Sequence, residues 1–453
     1  VLASPRFASW LEDEVFLRHL LSLTAAHHPT HTLQPPKELS VLCAVVDGVA
    51  GGDTGEGLSV LQAHSRENLL PQLWDRARST TRRGSPDMRS ELVFSAPRVG
   101  EAALGTVGKE GPRTLVAIPT ANTVFVNGRA STMFALRWRG GERWEDMAVV
   151  ERVDVERQVV RVPRWPGRGT TMHLPLVPIT VLREVNAGLG NIVREIECDE
   201  GSVPASKELE EVIPRLLAAR EARGLEELRG GLSVWALVMP REMNYEADTD
   251  LELLRNPEAV LAADFGKPEV EVDLNWLLEQ GGRLHRVMSG GGGWGAKQGL
   301  LCLDPERSLS QTDEEDVESF ERDLLNELFP GRRGGGRGAS VVGKGNRVMF
   351  FVDRDTYPHR PVAPPLHVET GFLVQVRPHA AGGGNNEVFQ DDRMMPVFGA
   401  VSATAMFIAP ESQRGRAEQS MKIDVPCSEY KTTLRLRGDG VKVDNAMSIQ
   451  SGE

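Results

Sequence analysis

Near the start of the chain, Phe7, Trp10, Leu11, Val15, Leu17 and Leu21 recur close to helical spacing, with Glu12, Asp13, Glu14 and Arg18 on the polar side. The spacing predicts one helix from Pro5 to Leu23 whose apolar stripe packs on the fold that follows. From Leu39 the pattern changes to short apolar runs broken by Gly, Asp and Asn: ELSVLCAVVDG, GLSVLQAH, ELVFSAP, RTLVAIPTANTVFVNG and DMAVVERVDVERQVVRVP. Runs of that length rich in Val, Leu, Ile and Phe, punctuated by Asp47-Gly48 and Asn127-Gly128, predict strands and turns. Val153, Val155, Val160 and Val162 alternate with charged residues across a short interruption, as expected of strands with one wet face. Within this region, Leu61 to Thr81 includes the one plausible helix.

A second pattern begins near Leu174. PLVPITVLREV and GLGNIVREIECDEG lead into PASKELEEVIPRLLAAREARG, which predicts a helix ending at Gly224 and bent at Pro214, where a backbone donor is missing. LSVWALVMP returns to strand, Asp273 to Glu279 predicts a short helix stopped by Gly281 and Gly282, and RLHRVM is strand again. Thr312 and Glu315 form a capping box ahead of the apolar stripe Val317, Phe320, Leu324 and Leu328. GRRGGGRGAS then has linker composition, and GNRVMFFVDRD, HVETGFLVQVRP, MPVFGAVSATAMFIAP, SMKIDVP and YKTTLRLRG predict a last set of strands.

The expected fold class is therefore α+β, with several small mixed or antiparallel sheets and a few packed helices in two to three domains. The expected divisions are an N-terminal helix plus β-rich domain over 1–173, an α/β region over 174–330 with a Gly-rich loop at 289–295, an Arg/Gly-rich linker over 331–346, and a β-rich region over 347–453. A length of 453 residues suits this count, being enough for two or three cores at roughly 150 residues each. The net charge of −12 disfavours wrapping nucleic acid over the whole surface, so any such contact is local. Cys43, Cys198, Cys302 and Cys427 contain no CxxC pair and are expected to be reduced core thiols. The stretch Met394 to Pro410, which contains no Asp, Glu, Lys, Arg or His, is interrupted by Pro396 and Gly399 and is expected to be strand rather than a membrane span.

Candidate chemistry is sparse. Gly290, Gly292 and Gly295 in SGGGGWGAK satisfy GxGxxG after a strand, and with Lys297 as counter-charge they could cradle an anion. Against that, AKQGLLCLD continues as strand rather than as the helix that would hold a pyrophosphate, and a sharp loop covered by Trp294 explains the same residues. Arg332, Arg333 and Arg337 resemble an RGG element, which contacts RNA through charge and guanidinium stacking. The eight carboxylates of the preceding helix offer those arginines a simpler partner. His27, His28 and His31 in HHPTH, and Asp353, Asp355 and His359 in VDRDTYPHRP, fit loop and turn better than metal ligation, so no metal is expected. Asn122, Asn127 and Arg129 are expected to be turn formers. No GxSxG or HExxH occurs, and no residue stands out as a catalyst or calls for a cofactor.

At IPTANTVFVNGRASTMFALRW, PASKELEEVIPRLL and LHRVMSGGGGWGAKQGLLCLDP the chain resembles a family of filamentous-fungal (ascomycete) mitochondrial proteins to which no activity attaches. The resemblance implies a protein of the mitochondrial matrix whose targeting peptide has been cleaved, which suits a first residue Val1 in place of Met. The expectation is a non-catalytic subunit or assembly factor of a mitochondrial complex linked to gene expression, with protein partners and a local RNA contact. Two alternatives stay open: a small-molecule or nucleotide enzyme using the 289–297 loop as an anion cradle, and a ligand-sensing module with a pocket between sheets.

Overall fold

The computed structural model describes residues 1–26, 35–50, 55–61, 69–74, 90–97, 113–162, 170–225, 228, 232–241, 253–260, 265, 272–290, 299–304, 341–354, 356, 373–374, 397–410 and 421–433. The chain divides into two compact units, one of Val1–His173, Leu366–Ala417 and Pro426–Glu453, the other of Leu174–Pro365 and Glu418–Val425. Both are mixed α+β and dominated by sheet.

In the first unit the N-terminal apolar stripe forms two helices rather than one, a 3-10 helix over Pro5–Glu12 and an α-helix over Glu14–Ala26. The break is the work of Asp13, whose carboxylate accepts the N–H groups of Val15 at 2.9 Å and Phe16 at 3.0 Å and so caps the second helix. Phe7, Leu11, Leu17 and Leu21 nevertheless converge on one core with Val41, Cys43, Val45, Phe134 and Trp138. Those last residues lie on Glu38–Val45 and Met133–Arg139, antiparallel neighbours in a sheet of order Leu373–Val374, Leu58–Ser59, Leu2–Ala3, Glu38–Val45, Met133–Arg139, Ala148–Asp154.

The intervening residues of the same strand, Leu42 and Ala44, enter a different core. There they meet Leu92, Phe94, Val116 and Ile118 of one sheet and Phe398, Ala400 and Tyr430 of another. A strand buried on both faces reads as an unbroken apolar run, which is why VLCAVV shows no alternation. Phe94 stacks on Tyr430 with ring centroids 4.7 Å apart and meets Phe398 edge-on at 6.0 Å. The interruption between Val153 and Val160 is a change of sheet: Ala148–Asp154 pairs with Met133–Arg139, whereas Arg157–Arg161 runs parallel to Glu91–Pro97.

The second unit is built on a closed ring. Arg183–Leu189 pairs with Ile192–Cys198, which pairs with Leu301–Leu303, then Arg283–Gly290, Val234–Met239 and Arg347–Asp353. Arg347–Asp353 returns to Arg183–Leu189 through Arg183↔Val348 and Glu184↔Arg347, and every pairing is antiparallel. Six strands thus close a barrel and leave no edge within the ring. Val185, Val193, Ile196, Val234, Ala236, Val238, Leu301, Val348, Phe350 and Val352 form its core. The helix Ala205–Ala222 runs on through Pro214 and adds Ala205, Leu209 and Leu216 to that core. Asp273 caps Leu274–Glu279 by accepting the Trp276 N–H at 3.1 Å, and Gly281 follows at φ +92°.

The helix expected after Thr312 and the 331–340 part of the Arg/Gly-rich linker lie outside the described residues, as does most of the segment Leu61 to Thr81 in which a helix was expected. Among the described residues no helix is long and apolar enough to cross a membrane. The uncharged stretch before Pro410 contains the strands Val397–Ser402 and Met406–Pro410, as its breaks foretold. Cys43 is buried, Cys198 and Cys302 are half-buried, and Cys427 is exposed at a positive-φ turn, so the reading of four core thiols needs that correction.

Candidate functional site

Most of the expected site residues lie outside the described residues. Gly290 ends a barrel strand opposite Leu301, but Gly292, Gly295 and Lys297 lie outside the described residues, as do Arg332, Arg333 and Arg337. Asp353 ends its strand, while Asp355 and His359 are likewise outside. Among the described residues no group of three His, Cys, Asp or Glu side chains is placed to hold a metal.

The structure points instead to Asn122–Arg129. The run TVFVNG was expected to belong to strand, yet Val124–Asn127 is a single helical turn. Its cause is local. The Asn122 side chain accepts the Val124 N–H at 3.0 Å, and the Thr123 carbonyl accepts from Val126 and Asn127, each at 2.9 Å. Gly128, at φ 77°, donates to the Val124 carbonyl at 3.0 Å and ends the turn in the left-handed region that favours glycine. The chain then returns beside its start, with Thr123 and Arg129 bridged as antiparallel neighbours.

This turn turns apolar side chains outward. Phe125 is 99% exposed, Val126 49% and Val124 43%. Single exposed apolar residues, such as Val15 or Met288 here, are ordinary on a protein surface. Three in succession, with an aromatic ring wholly in water at the middle, form a small continuous apolar surface.

Beneath the exposed tip lies a buried polar frame. Thr120, Thr123 and Thr132 are each at 0% exposure. The Asn127 amide donates to Thr132 Oγ1 at 2.8 Å, Thr132 and Thr123 share a hydroxyl contact of 2.7 Å, and Thr123 Oγ1 donates to the Arg129 carbonyl at 2.9 Å. A hydroxyl has one proton to give, and Thr123 spends its own on Arg129. The order is therefore fixed as Asn127 to Thr132 to Thr123 to Arg129, each bond polarising the next. The base is tied to the sheets by Ala121 N–H to the Val45 carbonyl and Val45 N–H to the Thr132 carbonyl, both 2.9 Å, and by Thr120 N–H to the Ser90 carbonyl at 2.8 Å. Ser90 and Ser131 add a hydroxyl contact of 2.9 Å. Arg129, the one charged residue in 120–132, bonds Asp154 at 3.1 Å and remains 42% exposed.

Beside the turn, Ala148–Asp154 is the outer strand of its sheet. Arg137 pairs with Glu151 but Trp138 pairs with Val149, so Val150 is left out of register as a bulge. A bulge together with Glu151, Arg152 and Asp154 blunts this edge against pairing with another chain.

A second polar cluster, in the other unit, is an ion pair: Arg183 holds Glu208 at 3.0 Å and Asp199 at 3.4 Å. Burial pushes the Glu208 carboxyl up, against the pull of Arg183, and burial also raises the neighbouring Cys198 thiol. A thiol shifted upward is a weaker nucleophile at neutral pH.

No family model, curated protein or solved structure matches the chain. The geometry of the turn therefore carries the functional argument.

Proposed function

We propose that this protein is a non-catalytic subunit or assembly factor that docks on a larger complex through the turn Val124–Asn127. The observation that supports this reading is the 99% exposure of Phe125 on a frame whose threonines are fully buried. Aromatic residues held rigidly at a protruding point are the usual anchors of protein interfaces, because little conformational entropy is lost when they bind. Burying the Phe125 ring would contribute about 2 to 3 kcal/mol. A mitochondrial setting and a link to gene expression belong to the same proposal and rest on the sequence resemblance alone.

The test compares the full chain with Phe125→Ala after native purification from its own cells. The wild-type chain should migrate in a defined assembly and Phe125→Ala as free protein of unchanged stability. If the wild-type chain itself migrates as a bare monomer, the docking reading fails.

A further inference from the structure

The tip also constrains what it meets. We propose that Phe125 enters an apolar socket on a partner protein, and that an acidic group on the socket's rim engages Arg129. This rests on the docking reading above and adds the chemistry of the occupant.

Two observations favour a protein socket over a lipid surface. Stable attachment to a bilayer takes a second anchor, commonly a polybasic patch, beside a small apolar insertion. Here the apolar tip amounts to one Phe and two Val, residues 120–132 carry a single cation, and the chain as a whole is at −12. An anionic membrane offers such a chain no polybasic attraction within the Debye length, where its surface potential acts. A socket, in contrast, surrounds the ring on all sides and needs no wider apolar surface.

Charge complementarity defines the rim. Arg129 sits at the foot of the turn, bridged to Thr123, so its distance from Phe125 is fixed by the backbone. Its pairing with Asp154 uses NH1, and Asp154 is 73% exposed. That leaves a guanidinium with other N–H donors at a half-exposed position, able to accept a second carboxylate in forked geometry. The bulge at Val150 disfavours a competing mode beside the turn, extension of this sheet edge by a partner strand.

A photo-reactive phenylalanine analogue at position 125 of the full chain, irradiated in cells, tests the occupant. The expected adduct lies on one peptide of one protein partner, in an apolar segment with Asp or Glu close in space. With that partner purified, Phe125→Ala should weaken binding at least tenfold at any salt. Arg129→Ala should weaken it at low salt and flatten its salt dependence, a change that Phe125→Ala does not produce. Adducts on lipid, on RNA or on a second copy of this chain would overturn the inference while leaving an interaction role intact. So would a partner whose affinity ignores Arg129. Adducts scattered over many proteins, with no assembly on native gels, would sink the docking reading as well.

Discussion

Replacing Thr132 by Val tests whether the hydroxyl chain is what holds the turn. The side chain is fully buried, and Val keeps its shape while removing one oxygen. Two bonds disappear: the one received from Asn127 at 2.8 Å and the one given to Thr123 at 2.7 Å. Each is worth about 1 kcal/mol net, and a buried group left unpaired costs somewhat more. Asn127 is half-buried and can recover a bond from water, so the loss sums to about 2 kcal/mol. For a unit of this size that corresponds to a fall in Tm of roughly 4 to 8 °C. Urea unfolding measures the loss, and amide hydrogen exchange locates it: Val126, Asn127 and Gly128, whose N–H groups bond back within the turn, should lose protection first. Thr123→Val combined with Thr132→Val should cost less than the two single changes added, by at least about 0.5 kcal/mol. A single change costing under about 0.5 kcal/mol, with exchange unaltered, would refute the frame.

Other consequences follow from burial and close packing. Phe125→Ala, at the exposed tip, should leave stability within about 0.5 kcal/mol of wild type while abolishing assembly; a large loss of stability would mean the ring packs on its own chain. Burial holds the Glu208 carboxyl above the ordinary glutamate value, so the folded chain keeps that proton where the unfolded chain has released it. Stability therefore falls as pH rises from the ordinary glutamate range through the raised native value, and Glu208→Gln should flatten that slope in urea unfolding measured across the interval. Gly399→Ala would place a methyl against the Tyr430 carbonyl and 2.7 Å from Lys431 Cα, and should cost at least about 2 kcal/mol by thermal unfolding. Burial pushes the Cys43 thiol to about 11, whereas Cys427 is exposed. Ellman's reagent should modify Cys427 in the native protein and leave Cys43 untouched until denaturant is added; simultaneous reaction of both would contradict the fold.

The elements legible in the sequence are those that local chemistry decides. VLCAVV and VWALVM are unbroken apolar runs, and both prove to be strands buried on two faces. Asp273 and Gly281 bracket a helix in sequence and in structure alike. Asp13 shows where periodicity misleads, since one apolar stripe spans two helices with an acidic cap between them. Closure of the barrel was hidden for a different reason: it depends on Glu184 meeting Arg347, far along the chain, and no local pattern encodes that register. The candidate turn fell between these cases. Asn122, Asn127 and Arg129 were readable as turn formers, but TVFVNG has the composition of a strand. The Asn122 cap and the left-handed Gly128 make it a helical turn, and Thr132 holds that turn from outside through bonds to Asn127 and Thr123 that no local pattern reveals.

That dependence bears on specificity. An apolar segment free to move would bind many surfaces weakly, because each encounter must order it anew. Here the ordering cost is met when the unit folds, through bonds to Val45, Ser90 and Asp154 that lie outside the turn itself. The same unit sets a bulge at Val150 in the strand beside the turn, so backbone pairing at that edge, which would accept almost any extended chain, is disfavoured. A rigid aromatic tip beside a blunted edge would, on the docking proposal, admit partners by side-chain fit rather than by main-chain pairing. On the docking proposal, discrimination should therefore reside in Phe125 and Arg129, and loosening Thr132 should lower affinity without removing a single contact to the partner.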